Sequence, residues 1–276
     1  MSMTKTLEID SGTDELLVEI RDKVAVVTLN RPEARNALSD RMVQAWRGLI
    51  NQFGDDSRIG SVLVTGTGTA FCAGGDVKVM SQSSALAEKT FEQRVADLRD
   101  EQRAVIGAVA SLRKPTLAAI AGPAAGAGLA LALACDMRIA GQSTILTTAY
   151  ARIGLAGDYG ITWSLTRVAG FARARELLFL SERINAERAE AFGLVNRVVP
   201  DADLQETAFA LATSLAEGPP VAIGLMKENL DHAANSSLLE SLDHEAENHI
   251  RAKLTLDHKE GVRAFTEKRK PAFQGH

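Results

Sequence analysis

One carboxylate set between glycines and two loops of small residues are the features of this sequence that could do chemistry together. The carboxylate is Asp158, in Gly157-Asp158-Tyr159-Gly160. The first loop is Ala70-Phe-Cys-Ala-Gly-Gly-Asp76, whose small residues would let a ligand come close to the backbone. The second is Gly126-Ala127-Gly128, which opens a small-residue helix. Free N–H groups at a helix start suit a developing negative charge. Two converging backbone donors make an oxyanion hole, and single donors are worth roughly 3–4 kcal/mol to a transition state. A carboxylate can take a proton from carbon wherever the enolate it leaves is stabilised by such donors. Burial would raise its pKa toward that task. The alternative is that Asp158 caps the helix that starts near Gly160, or makes a loop turn.

Other chemistries lack their residues. All five histidines fall in the last 45 residues, and His244 and His249 miss the i, i+4 spacing of paired metal ligands. No metal site is expected. There is no GxxxxGK[ST], GxGxxG or GxSxG. Cys72 and Cys135 form no disulfide framework and read as buried, inert thiols in a reduced, cytoplasmic protein. The first 13 residues have no apolar signal core, and the Ala118–Cys135 run is broken by glycines and a proline, so no membrane span is expected. The 276 residues carry a net charge of −4 with 5% aromatics, which argues against nucleic acid as a partner.

Positioning these residues requires a layered scaffold. Leu16–Ile20 and Val24–Leu29 read as a hairpin, and Ser39 precedes a helix with Met42, Val43, Trp46, Leu49, Ile50 and Phe53 on one face. Ser61–Thr65, Thr116–Ala121, Met137–Ala140 and Val195–Val199 read as strands. One long helix is expected from Ser84 to Leu112, stopped by Lys114-Pro115, and helices fill Asp201–Arg269. Strand–helix alternation implies an α/β protein with a mainly parallel sheet. The expected division is a core over residues 1–200 and a C-terminal helical module over 201–276.

Five segments in order resemble the crotonase (enoyl-CoA hydratase/isomerase) family. They are Asn30–Leu38 (NRPEARNAL), Ala70–Asp76, Ala121–Gly128 with Ala134-Cys-Asp136, Ile153–Gly160 with Gly193–Asn196, and Gly261–Phe273. The resemblance spans roughly residues 15 to 273. It implies a crotonase-like ββα spiral core, a coenzyme A thioester as substrate, and no cofactor beyond the CoA that the substrate carries. It places the oxyanion donors at the N–H groups of Ala73 and Ala127. It puts Arg31, Arg35, Ala37, Gly74, Gly75, Asp76, Lys78, Tyr150, Phe265 and Lys268 at the substrate or CoA site. It also implies a homotrimer or a dimer of trimers, to which the periodic Leu225, Met226, Leu230, Leu238, Leu239 and Leu242 would be suited, as they would equally be to packing inside one chain.

The chain departs from that pattern where hydratases of the family carry two glutamates: Ala130 and Tyr150 stand at those positions. Alanine transfers no proton, and tyrosine, with a pKa of about 10, is a poor base at neutral pH. Tyr150 either orients Asp158 or forms a wall. Asp76 and Asp136 read as structural, and Glu88, Glu92 and Asp97 as the solvated face of the long helix. The leading expectation is double-bond isomerisation of an unsaturated acyl-CoA through Asp158. A hydratase with other acid/base groups and a non-catalytic acyl-CoA-binding protein are the alternatives. From Arg251 to Lys270 there are seven Lys/Arg against three Asp/Glu, a local excess that could meet the phosphates of CoA.

Overall fold

The computed structural model describes residues 6–76 and 89–276. Its centre is a seven-stranded sheet in the order β1-β2-β3-β4-β5-β7-β10. The strands are β1 (Leu7–Ile9), β2 (Leu16–Arg21), β3 (Val24–Leu29), β4 (Ser61–Gly66), β5 (Thr116–Ile120), β7 (Met137–Gly141) and β10 (Arg197–Val199). β2 and β3 form the expected hairpin, with Leu16 opposite Leu29 and Arg21 opposite Val24. From β3 onward every pairing is parallel: Leu63 lies beside Val26 and Leu117, Ala118 beside Arg138, and Ala140 beside Val198. The burial patterns reflect this. β2 alternates, with Leu16, Val18 and Ile20 inward, whereas β4 and β5 are buried throughout because helices cover both faces. A second sheet of three short strands, β6 (Pro123–Ala125), β8 (Ile145–Thr147) and β9 (Ile184–Asn185), stands beside the first.

Helix α1 (Asp40–Asp55) starts where the Ser39 hydroxyl accepts the Met42 amide, and it buries the six apolar residues expected of its inner face. The long helix expected from Ser84 is interrupted. Among the described residues it comprises α2 (Phe91–Gln102), a π-helical turn (Arg103–Gly107) and α3 (Ala108–Ser111), with a Thr90–Gln93 capping box at its start. α4 (Ala127–Ala134) is buried along nearly its whole length, which its alanines and leucines permit. The next helices in the chain are α5 (Ile161–Val168), α6 (Gly170–Leu180) and α7 (Ala186–Ala191).

Just after residue 200 comes α8 (Leu204–Ala216). Its Leu204, Ala208, Ala212 and Ala216, four residues apart, close the second face of the sheet over Val24, Leu63, Leu117 and Ile139. It belongs to the core. The helices that stand away from the sheet are α9 (Pro220–Ala233), α10 (Leu238–Lys253) and α11 (Leu256–Thr266). Lys227 ties α9 to the body by pairing with Asp136 at 2.7 Å, while Asp136 also accepts the Thr116 amide at 2.7 Å. Asp136 is therefore structural, as expected. Among the described residues no single helix is long and apolar enough to cross a membrane.

Candidate active site

The loops that carry the expected chemistry leave the carboxyl ends of neighbouring parallel strands, where open α/β sheets bind ligands. β4 runs out into Thr67–Asp76, and β5 runs through β6 into α4. β7 runs through β8 into the 3₁₀ turn Tyr150–Ile153. Backbone pairing locks these loops together. The Phe71 amide donates to the Pro123 carbonyl at 3.0 Å, and the Ala125 amide donates to the Cys72 carbonyl at 3.0 Å. The Gly126 amide donates to the Thr147 carbonyl at 3.1 Å.

This pairing decides which amides are free. Ala73 is corrected as an oxyanion donor: its N–H is given to the Arg35 carbonyl at 2.9 Å. The Leu38 amide meanwhile donates to the Gly74 carbonyl, pairing Leu38 with Gly75 in a parallel bridge. Gly75, two residues after Ala73, gives its amide to no acceptor among the described residues, nor does Ala127 at the first turn of α4. The two lie close together. Gly74 has φ of +93°, and a Cβ placed there would fall 2.7 Å from the Ala125 carbonyl oxygen and 3.3 Å from the Ala127 nitrogen. The glycine is what lets the loop approach the start of α4. The amides of Gly75 and Ala127, not Ala73, are therefore the pair that could converge on one oxygen.

Tyr150 brings the carboxylate to this hole. A Cβ on Gly126 would lie 3.8 Å from the Tyr150 Cζ and 3.9 Å from its hydroxyl. That hydroxyl donates to Asp158 Oδ1 at 2.6 Å. Of the two readings left open for Tyr150, the structure selects the orienting one, although its ring is also a buried wall. Asp158 does not cap α5. The N-cap position is Gly160 with no side-chain cap, and the Ile161 amide donates to the backbone carbonyl of Asp158 instead. The Asp158 carboxylate is left to the site. Burial pushes the Asp158 pKa up, and the Tyr150 hydroxyl partly opposes this. Burial and the adjacent Asp158 raise the Tyr150 phenol well above its ordinary value, so it remains a donor across neutral pH.

Other expected site residues separate into groups. Arg31 is enclosed rather than free: Nη2 lies 3.2 Å from Asp76 Oδ2, Nη1 donates to the Ala37 carbonyl at 2.8 Å, and Glu15 is 3.8 Å from Nε. Arg31 and Asp76 thus pair with each other within the protein. They form a clamp that holds the Ala70–Asp76 loop against buried Ala37. Arg35 has an exposed side chain, and its carbonyl accepts the Ala73 amide. Lys78 and Glu88 lie outside the described residues. Phe265 is 86% exposed on α11, and Lys268 lies just beyond that helix. The basic tail is largely neutralised: Glu260 pairs with Arg263 and Arg269, Arg251 pairs with Glu247, and Lys270 with Glu217. Lys253, Lys259 and Lys268 have no carboxylate in range among the described residues. Glu92 is exposed and Asp97 pairs with Lys89, so both belong to the solvated face. Cys72 and Cys135 are buried, and burial raises each thiol to about 12.

Sequence reasoning missed Glu101 and Gln102, at the end of α2. The Tyr159 hydroxyl donates to Glu101, and its amide to Gln102 Oε1 at 2.8 Å. They lie within the helix expected from Ser84 to Leu112, and no spacing pointed to a partner 57 or 58 positions away.

The enoyl-CoA hydratase/isomerase family model matches residues 19–276. The chain belongs to the enoyl-CoA hydratase/isomerase family. Among its relatives is the 1,2-epoxyphenylacetyl-CoA isomerase of Escherichia coli K12, 36% identical over 260 residues, covering 94% of this chain and 98% of that protein. Another is the short-chain-enoyl-CoA hydratase of Clostridium acetobutylicum, 33% identical over 258 residues, covering 93% and 96%. The crystal structure of an enoyl-CoA hydratase from Polaromonas sp. JS666 superposes with a TM-score of 0.87 at 33% identity, covering 94% of this chain and 99% of that one. The crotonase-like fold expected from the sequence is therefore the fold of the chain, and acyl-CoA thioesters are the substrates of its family.

Proposed function

We propose that this family member is an isomerase of unsaturated acyl-CoA thioesters. The thioester oxygen sits between the amides of Gly75 and Ala127. Asp158 removes a proton from the acyl chain, and the electron pair moves onto the thioester oxygen as an enolate. The same carboxyl then returns the proton at a different carbon, and the double bond shifts with no change in oxidation state. Tyr150 keeps Asp158 aimed and does not exchange its own proton. No cofactor takes part; CoA is the handle of the substrate.

The observation that carries this reading is the Tyr150–Asp158 hydrogen bond of 2.6 Å, beside a helix start whose first amide is free. It supplies one aimed carboxylate with a raised pKa, while Ala130, on α4, offers no acid at all. The hydratases among its relatives motivate a second reading, in which water is added through other groups. The exposed Leu230, Leu238, Leu239 and Leu254 of α9, α10 and the turn after it support association into a homotrimer or a dimer of trimers.

The test is to incubate wild type and Asp158→Asn with 2-enoyl-, 3-enoyl- and dienoyl-CoA and to separate shifted from hydrated products. Isomerisation lost in Asp158→Asn supports the proposal. Hydration that survives the substitution replaces it with the second reading.

A further inference from the structure

The loop that presents Asp158 has an unusual backbone. Gly157, Tyr159 and Gly160 have φ of +102°, +50° and +74°. A bulky aromatic residue in the left-handed region is strained, and such a residue persists where its surroundings over-determine it. Tyr159 is held at both ends by consecutive residues of one helix, its hydroxyl by Glu101 and its amide by Gln102 Oε1 at 2.8 Å. The next loop residue meets the same segment: a Cβ on Gly160 would lie 3.9 Å from Ile106 Cγ2.

The anchoring segment is itself irregular. Immediately after Gln102 the helix widens into the π turn Arg103–Gly107, which buries Val105 and Ile106 in the core. α2 before it has no buried residue. A π turn shifts the register of the helix before it relative to the helix after it, and such turns recur at functional sites. Here it lets Val105 and Ile106 face the core while Glu101 and Gln102 face the Asp158 loop.

We infer that Glu101 and Gln102 are positioning residues, which grip Tyr159 by its hydroxyl and its amide and so fix the direction of the neighbouring Asp158 carboxylate. The inference rests on the reading of Asp158 as the proton-transfer group. It adds that the aim of Asp158 is set from two sides: by Tyr150 on the carboxylate, and by the end of α2 on the backbone next to it.

The experiment compares full-length wild type with Tyr159→Phe, Gln102→Ala and Gln102→Glu, which keeps an acceptor oxygen. It reads kcat and KM for an enoyl-CoA that wild type isomerises, and amide hydrogen exchange across residues 157–161. Expected for Tyr159→Phe and Gln102→Ala is a fall in kcat of about ten- to a hundredfold, as for sub-ångström misplacement of a reacting group, with KM within about threefold. Exchange in the loop should accelerate about tenfold with the rest of the chain unchanged. Gln102→Glu should restore both. Unchanged loop exchange in both variants overturns the inference. So does faster exchange spread over the whole chain, or KM rising in place of a falling kcat. The exchange readout does not depend on turnover. Wild type lacking Asp158-dependent isomerisation would refute the proposed function, while the loop data would still decide the grip.

Discussion

Replacing Tyr150 by Phe removes the hydroxyl that hydrogen-bonds the Asp158 carboxylate. The ring is buried and would keep its packing, and the lost contact is the 2.6 Å donation to Asp158 Oδ1. A hydrogen bond to a charged acceptor is worth about 1.5–3 kcal/mol. Asp158 is only partly buried, so water recovers some of this and the lower end applies. About 1.5 kcal/mol corresponds to roughly tenfold in an equilibrium or a rate. The forces on Asp158 set the sign. Burial raises its pKa and the Tyr150 hydroxyl lowers it, so deleting the hydroxyl lets burial act unopposed. A carboxylate that works as a base is inactive when protonated, so the acid limb of the kcat/KM profile should move to higher pH. On that limb kcat/KM should fall about tenfold, with the fold and thermal stability nearly unchanged. The assay is isomerisation of an enoyl-CoA across the acid and neutral range for both proteins. An acid limb that stays in place, or moves to lower pH, would refute the claim that Tyr150 holds the ionised form of Asp158.

Three further outcomes are expected from the same geometry. Asp158→Asn should stabilise the protein by roughly 0.5–2 kcal/mol at neutral pH, since it removes a charge that burial disfavours. A carboxyl whose folded pKa is raised costs stability above that pKa and nothing below its unfolded value, so this gain should shrink as pH falls into the carboxylate range; thermal melts across pH check it. Gly74→Ala should destabilise by about 1–3 kcal/mol and cost most of the activity, because the new Cβ meets the Ala125 carbonyl at a φ of +93°. Its denaturation midpoint and kcat report both effects. Cys72 and Cys135, with pKa values raised to about 12, should resist a thiol-alkylating reagent in the native protein and react once it is unfolded, as mass spectrometry would record.

How much of the molecule is legible in the sequence depends on the range of the forces involved. The face of α1 and its Ser39 cap were legible because both are local patterns. The loop bearing Asp158 was legible because its flanking glycines advertise unusual backbone. The free amide was not. Whether Ala73 or Gly75 keeps its N–H depends on Arg35 and Leu38 pairing across the loop, and residue type says nothing about that register. Arg31 read as a cation for phosphate because its partner Asp76 is 45 positions away. α8 read as part of the helical tail because its buried stripe is mostly alanine, which carries little hydrophobic signal yet packs close against a sheet. The grip of Glu101 and Gln102 on Tyr159 depends on a π turn that helical periodicity cannot register.

The central claim is that Asp158 moves a proton between carbons of an acyl-CoA bound at Gly75 and Ala127. Its most direct test is deuterium incorporation from D₂O into the acyl chain of an enoyl-CoA, measured by mass spectrometry for wild type and Asp158→Asn. Wild type should place deuterium on the acyl carbons as the double bond shifts, and Asp158→Asn should lose this by about 10²–10⁴-fold, the usual contribution of a positioned acid–base group. Equal incorporation by the two proteins would contradict it, as would conversion by wild type only to a water adduct.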